Sequence, residues 1–470
     1  MQLRDRTKVK INQKGESVMK KRYAVLLTMG IVLGLLSGCS GREQSTPEAP
    51  ADTEKENTME EREVVEFWFH AADENSSALY EEIMDEFNRS QDKYEARYTG
   101  FSNKDFPDKF TMAIATQTMP DVVSLGFSNV MTYVAQDALI DISDYFNEWE
   151  GSSKITPSLV ETLKGIGNGR LYGVPYNYNQ DISWYNTKFF EEKNLTVPKT
   201  QKEFLKLCEE YADPDGGTYF YSLRGVKPYD NLLGWLFTYT DGAGYGGSYF
   251  DENNQCILNR PEFAEALDAY ASIYKNNWVS GDCVNNDFNQ MVAEFGSQTA
   301  MYITHNSSSR KTHEANLGDG NFAAAKPLAN DAGRYYTSAI QPQIYCVTNT
   351  KGPDGDYAGA FELIKYLSSK EVVGKVGSKL GRIAVNSDNF EDDWFVNDKF
   401  MPLYQEIIAD ENFVQIQNPY WLSSYFNFIN TDMTADFQAV LLGDMTSQEA
   451  LDKWAEFLTQ EQQAYLENTK

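Results

Sequence analysis

The sequence predicts an α/β fold divided into two lobes, and three observations predict it. Between Glu63 and Leu125, apolar runs with strand period alternate with runs of helix period, in the order strand, helix, strand, helix, strand. That alternation builds a mostly parallel sheet with helices packed on it. Residues 39–470 are also too many for one hydrophobic core, which rarely grows beyond about 250–300 residues. No internal repeat or low-complexity segment interrupts this body.

The chain opens with a segment of different character. Lys20-Lys21-Arg22 precedes the mostly apolar run Tyr23 to Ser37, which leads into Leu36-Ser37-Gly38-Cys39. Basic residues, a short apolar core and then small residues form a secretory signal. The apolar core is too short for a membrane span, which takes about 20 apolar residues. Residues 1–18 carry Arg4, Arg6, Lys8, Lys10 and Lys14 with no apolar core, so translation is expected to begin at Met19. Ser40 to Arg62, rich in Glu, Thr, Pro and Ala, reads as a flexible tether. The expected organisation is a signal segment over 1–38, Cys39 and its tether over 39–62, and a globular body from residue 63.

Within the body, Glu63 to His70 is β-branched and aromatic, a buried strand. Leu79, Ile83 and Phe87 recur every four residues, an amphipathic helix. Tyr94 to Tyr98 alternates as a strand, Phe106, Phe110 and Ile114 share a helical face, and Pro120 to Leu125 turns into a third strand. Gly169 to Asn177 reads as an irregular extended passage because of Pro175 and the glycines, and strand character resumes at Ile182 to Asn186. Helices are predicted over 187–193 and 200–211, the second opened by Thr200 with Glu203 three residues on, a capping box. Further on come a helix through Phe263, Leu267, Tyr270 and Tyr274 and a strand at Ala300 to Ile303. A polar loop over Asp331 to Ser338, a strand over Ala339 to Val347, and helices over 357–368 and 370–379 follow. A last helix has Ala450, Leu451, Trp454, Phe457 and Leu458 on its apolar face.

Composition removes several classes of function. The formal charge is −28, and loss of residues 1–38, with eight Lys/Arg and two Asp/Glu, takes it to −34. So acidic a chain is a poor partner for nucleic acid or anionic lipid. With Cys39 set aside, Cys208, Cys256, Cys283 and Cys346 allow up to two disulfides or four free buried thiols. They form no Cys-x-x-Cys pair, and His70, His305 and His313 form no ligand spacing with them, so no metal or other cofactor is expected. Asp213-Pro214-Asp215-Gly216-Gly217 lacks the remaining ligands of a calcium loop. No Gly-x-Ser-x-Gly elbow, P-loop or Rossmann glycine fingerprint occurs. The chain is therefore not expected to be an enzyme, and a secreted glycoside hydrolase is the rival of another class. Aromatic residues make up 14% of the chain, more than a core of this size requires, and Tyr in particular gathers at binding surfaces.

Taken in order, several stretches resemble the extracellular solute-binding lipoproteins of bacterial ABC importers, and within them the sugar-binding, maltose-type branch. These are the Leu36–Cys39 motif, similar to the bacterial lipobox, and Val65-Glu66-Phe67-Trp68 before a helix ending in Glu86-Phe87-Asn88. Ala113 to Val123, Leu171 to Glu192, Pro198-Lys199-Thr200 with Glu203-Phe204, Ala300-Met301 and Gly443 to Trp454 complete the set. The resemblance implies cleavage before Cys39, a lipid on its thiol, and residence on the outer face of the cytoplasmic membrane. It implies a two-lobed, Venus-flytrap fold like that of periplasmic binding proteins, with ligand in the cleft. Lobe one is placed at 63–175 plus 330–392 and lobe two at 176–329 plus 393–470, with hinges near Val174–Asn179 and Asp331–Ala339. The implied partners are a carbohydrate, expected to be an oligosaccharide, and the permease subunits of the transporter, with the chain acting as a monomer. A receptor for glycerophosphate or another small polar solute is the alternative within the class.

A sugar offers hydroxyl edges to planar polar groups and C–H faces to aromatic rings. In α/β sheets such ligands meet the carboxyl ends of strands. On those grounds the candidate contacts are Trp68, His70, Asp73 and Glu74 after the first strand, and Phe127 after the third. Tyr176, Asn177 and Asn179 are candidates at the hinge passage, and Trp235 and Asp241 farther on. His305 and Asn306 close the Ala300 strand, Arg382 follows Gly381, and Trp421 lies in a late aromatic cluster with Tyr420 and Tyr425.

Overall fold

A computed structural model describes residues 62–337 and 341–468. Cys39, the signal segment and the tether up to Glu61 lie outside the described residues.

Strand β1, Glu63–Phe69, buries Val65, Phe67 and Phe69 on one face, as its alternation requires. It pairs in parallel with β2, Tyr94–Gly100, and with β3, Val122–Gly126. The helices Glu74–Ser90 and Phe106–Thr116 make the crossovers. Two strands from later in the chain complete this sheet: β4, Val174–Asn179, and, after further strands, β10, Gln341–Val347. The order is β2-β1-β3-β10-β4. The sheet is mixed rather than mostly parallel, because β10 runs antiparallel to both β3 and β4. The reason is its point of entry. Gln343 is level with Gly126, the last residue of β3, so β10 begins where β3 ends and must run back.

The second sheet has the order β6-β7-β5-β8, built from β5 (Asp181–Asn186), β6 (Tyr219–Tyr221), β7 (Ala300–Asn306) and β8 (Phe322–Ala325). Only β6 and β7 are parallel, and β5 is antiparallel to both neighbours. Gln180 alone separates β4 from β5, so the chain steps from one sheet to the other through a single residue. The passage expected to be irregular is so up to Gly173 but becomes a strand from Val174, because β10 supplies its ladder partners. The loop expected over 331–338 contains β9, Tyr335–Thr337, paired in parallel with β11, Phe413–Gln415. No local pattern announces so short a strand, since its partner lies far along the chain.

Local signals held where the chain supplies its own partners. Thr200 caps the helix Gln201–Glu210, accepting from the Glu203 N–H while the Glu203 side chain accepts from the Thr200 N–H. The last helix, Ser447–Asn468, buries Ala450, Leu451, Trp454 and Leu458. Helices at Pro157–Ile166 and Tyr229–Thr240, not foreseen, also border the cleft. Cys208, Cys256, Cys283 and Cys346 are free and buried.

Candidate ligand cleft

The ends of the strands bring together residues that are distant in sequence. On the first sheet, His70, Phe127 and Gln343 occupy the same edge, with Asn177 level with Gln343 across the β4–β10 ladder. On the second, Asp181 opens β5 opposite Asn306, the last residue of β7. The joint between them is tight: the Ser307 N–H donates to the Gln180 carbonyl at 3.0 Å.

This edge concentrates buried polar atoms that no described protein group satisfies. They are Asn177 Oδ1, both side-chain polar atoms of Gln180, and His305 Nε2. Asn177 is 2% exposed, Gln180 0% and His305 2%. Most buried polar groups are hydrogen-bonded, so such a cluster at a lobe junction marks a place for a polar guest. Charged side chains stand beside it. Asp181, Arg224 and Asp230 are all buried, and Gln341 Nε2 donates to Asp230 Oδ1 at 3.1 Å. The Arg224 guanidinium lies over the Tyr229 and Phe288 rings at 5.7 and 5.6 Å, and the His305 ring is 3.8 Å from that of Phe288.

Burial dominates the electrostatics. Desolvation holds the Asp181 carboxyl well above the usual range; the charge of Asp230 adds to this and Arg224 opposes it. Desolvation also pulls His305 down to about 3 and His70 down to about 4. Both imidazoles are neutral at pH 7 and offer hydrogen bonds rather than charge.

An aromatic wall and two open spaces complete the cleft. Phe127 meets Tyr420 edge to face at 4.7 Å. Beside them a cavity of about 540 Å³ is lined by Phe127, Glu161, Thr162, Gln415, Tyr420 and Trp421. A second, of about 700 Å³, is lined by Asp73, Ser76, Ser308, Lys311, Lys379 and Arg382 among others. Gly381 adopts φ 66° to end the helix Lys370–Leu380, and Arg382 follows directly.

The residues named from sequence divide by position. His70, Phe127, Asn177, Asn179, His305 and Asn306 gather at or near the strand ends, Arg382 lines the larger cavity, and Tyr176 is buried in the first sheet's core, stacked on Tyr345 at 4.1 Å. Asp73 caps the helix Glu74–Ser90 through the Ser76 N–H and also lines the larger cavity, while Glu74 is exposed in its first turn. Trp68 packs on Phe101 at 4.8 Å. Trp421 lines the smaller cavity and donates to Gln462 Oε1 at 2.9 Å. Trp235 sits within the second lobe, its indole N–H donating to the Ala266 carbonyl at 2.9 Å and its ring against Phe204 and Tyr270. Asp241 ends the helix Tyr229–Thr240 and accepts from Arg334, Asn330 and Tyr336, which ties it to β9. Sequence reasoning missed Gln180, Asp181, Arg224, Tyr229, Asp230, Gln341 and Gln343. A carboxylate opening a buried strand was a readable signal for Asp181. Asp230 carried none, because only the tertiary fold brings it to Asp181.

Comparison with known proteins agrees with this geometry. The profile of the bacterial extracellular solute-binding proteins matches residues 82–402. The chain belongs to that family. A mannitol-binding protein of Pseudomonas aeruginosa is 26% identical over 192 residues, 40% of this chain and 43% of that protein, so the match spans under half of the relative. An sn-glycerol-3-phosphate-binding periplasmic protein of Rhizobium meliloti is 23% identical over 83% of this chain and 91% of its own. Among solved structures, an ABC transporter solute-binding protein of Thermotoga lettingae bound with alpha-D-tagatose superposes with TM-score 0.70 at 20% identity, covering 85% of this chain and 100% of that one. The sugar-binding protein MalE of Xanthomonas citri does so with TM-score 0.70 at 17% identity, covering 87% and 100%. The solute-binding fold is two-lobed, and the junction at Gln180 lies between its two sheets.

Proposed function

We propose that this extracellular solute-binding protein captures a carbohydrate by lobe closure and delivers it to the permease of an ABC transporter, without catalysis. The observation that carries the reading is the set of buried, unsatisfied polar atoms on Asn177, Gln180 and His305 beside the Phe127–Tyr420 wall. Hydroxyl edges fit the polar set, and a sugar C–H face fits the rings. The names of the relatives and structural neighbours support the class: tagatose, mannitol and maltose are each named among them. The cavity of about 540 Å³ beside Phe127 and Tyr420 has room for a sugar.

Ligand touching both lobes favours the closed state by its differential affinity. The sheets support a lobe boundary at Gln180, with β1 to β4 and β10 in one sheet and β5 to β8 in the other. Cys39 is read as a lipidated anchor holding the receptor beside its permease.

A thermal-shift screen over mono- and oligosaccharides, with mannitol and glycerol 3-phosphate included, tests the function. A sugar at saturating concentration is expected to raise the melting temperature. A shift with glycerol 3-phosphate alone would favour the second reading, to which the Rhizobium meliloti relative and Arg382 lend support. Product formation from an oligosaccharide would replace the receptor with a hydrolase.

A further inference from the structure

His70 Nδ1 lies 2.8 Å from Ser124 Oγ, and His70 Nε2 lies 3.0 Å from Gln343 Oε1. The same Ser124 oxygen already accepts the His70 backbone N–H at 2.9 Å. Ser124 is 0% exposed, so its hydroxyl proton needs an acceptor inside the protein. Two groups beside it can take that proton, His70 Nδ1 at 2.8 Å and the Tyr176 hydroxyl, and the Gln343 oxygen facing His70 Nε2 favours the first, because an oxygen there requires the ring proton on Nε2. A neutral imidazole carries one N–H. If Nδ1 accepts, the proton sits on Nε2, which donates to Gln343 Oε1. The carboxamide of Gln343 is then oriented: its oxygen faces the histidine and its NH2 group faces away. That NH2 group makes no hydrogen bond to the described residues, and Gln343 is only half-buried at the sheet edge.

We propose that His70 is a positioning residue that, through Ser124, holds Gln343 with its NH2 group turned to the cleft, making this corner a hydrogen-bond donor. The positive charge of Arg382, which acts on His70, adds a potential there that favours an acceptor oxygen. The corner therefore recognises an acceptor oxygen of the ligand: a hydroxyl or carbonyl oxygen, or a carboxylate. It cannot serve a group that only donates, such as an ammonium. Asn177 Oδ1, level with Gln343 across the ladder and without a partner among the described residues, is an acceptor. A donor beside an acceptor suits a hydroxyl, which needs both. The assignment to a ligand rests on the sugar-binding reading above, but the orientation of Gln343 does not.

The test needs no ligand. Full-length protein labelled with ¹⁵N in histidine and glutamine is followed by two-dimensional ¹H–¹⁵N spectra. With three histidines in the chain, a single His70→Phe spectrum assigns His70, and Gln343→Leu assigns the carboxamide. The expected result is a neutral Nε2–H tautomer of His70, kept from pH 8 to pH 5.5, with both Gln343 NH2 protons exchanging rapidly with water. Ser124→Ala should mix the two tautomers, and Ser124→Thr should restore the single one, which a merely structural role of Ser124 would not do. An Nδ1–H tautomer, with Ser124 giving its proton to the neighbouring Tyr176, would overturn the proposal. So would slowed exchange of one Gln343 NH2 proton, since that proton would then be bonded to His70. Either outcome leaves the sugar screen to stand or fall on its own.

Discussion

Single side chains at the lobe junction carry the binding reading. Tyr420 reaches Phe127 across it, so Tyr420→Ala removes a large part of the aromatic wall. It is expected to weaken binding of the ligand found by screening by about 1–3 kcal/mol, as measured by calorimetry. Unchanged affinity would place the ligand elsewhere. His313 tells a different story. It is fully buried against Trp184, Phe295 and Phe322, with neither ring nitrogen bonded among the described residues. Desolvation lowers it from 6.5 to about 4. The folded protein therefore keeps this ring neutral while the unfolded chain takes up a proton below pH 6.5. Its contribution to stability is intact above pH 6.5 and declines as pH falls toward 4, by up to about 2 kcal/mol at pH 5. His70 and His305 act in the same direction, whereas Asp181, with its raised carboxyl, acts in the opposite one. His313→Leu is expected to raise stability at pH 7 by about 1 kcal/mol through loss of buried unsatisfied nitrogens. It should also flatten the decline between pH 6.5 and 5. Urea melts at the two pH values check both statements.

At the scale of elements, the legible features were those whose partners are near in sequence. The capping box at Thr200 and Glu203 needs only four consecutive residues, and it forms as read. Thr200→Ala is expected to cost about 1 kcal/mol and to lower the urea midpoint, while Thr200→Ser should cost little. Strands β1 to β3 were likewise readable, because each crossover follows at once. Strand β9 was not, and of β10 the strand itself was readable but its direction and partners were not. The first pairs with β11, and the second runs between β3 and β4. Their direction is set by where the chain re-enters the sheet, and no local pattern encodes that. The same limit explains the missed site residues. Asp181 and Asp230 lie on different elements, a strand and a helix, and become neighbours only when the second lobe folds.

For the whole molecule, the proposed function makes the two-lobed fold a device in which one ligand bridges two bodies. If Cys39 anchors such a device through its tether, the tether raises effective concentration at the permease without new contacts. Cys39→Ala is then expected to release the protein into the medium and impair uptake of the screened sugar. Affinity in calorimetry should stay unchanged, and a fall in affinity would make the tether part of the fold. The sequence by itself determined the α/β class, the two-lobed size and the family, because these rest on periodicity, length and linear motifs. Tertiary structure alone decided the mixed direction of the first sheet, the single-residue step at Gln180, and the meeting of Asp181, Arg224, Asp230 and His305. It also decided that Trp235 and Asp241 brace the second lobe, since an indole N–H and a carboxylate take whichever buried partner the fold brings within reach.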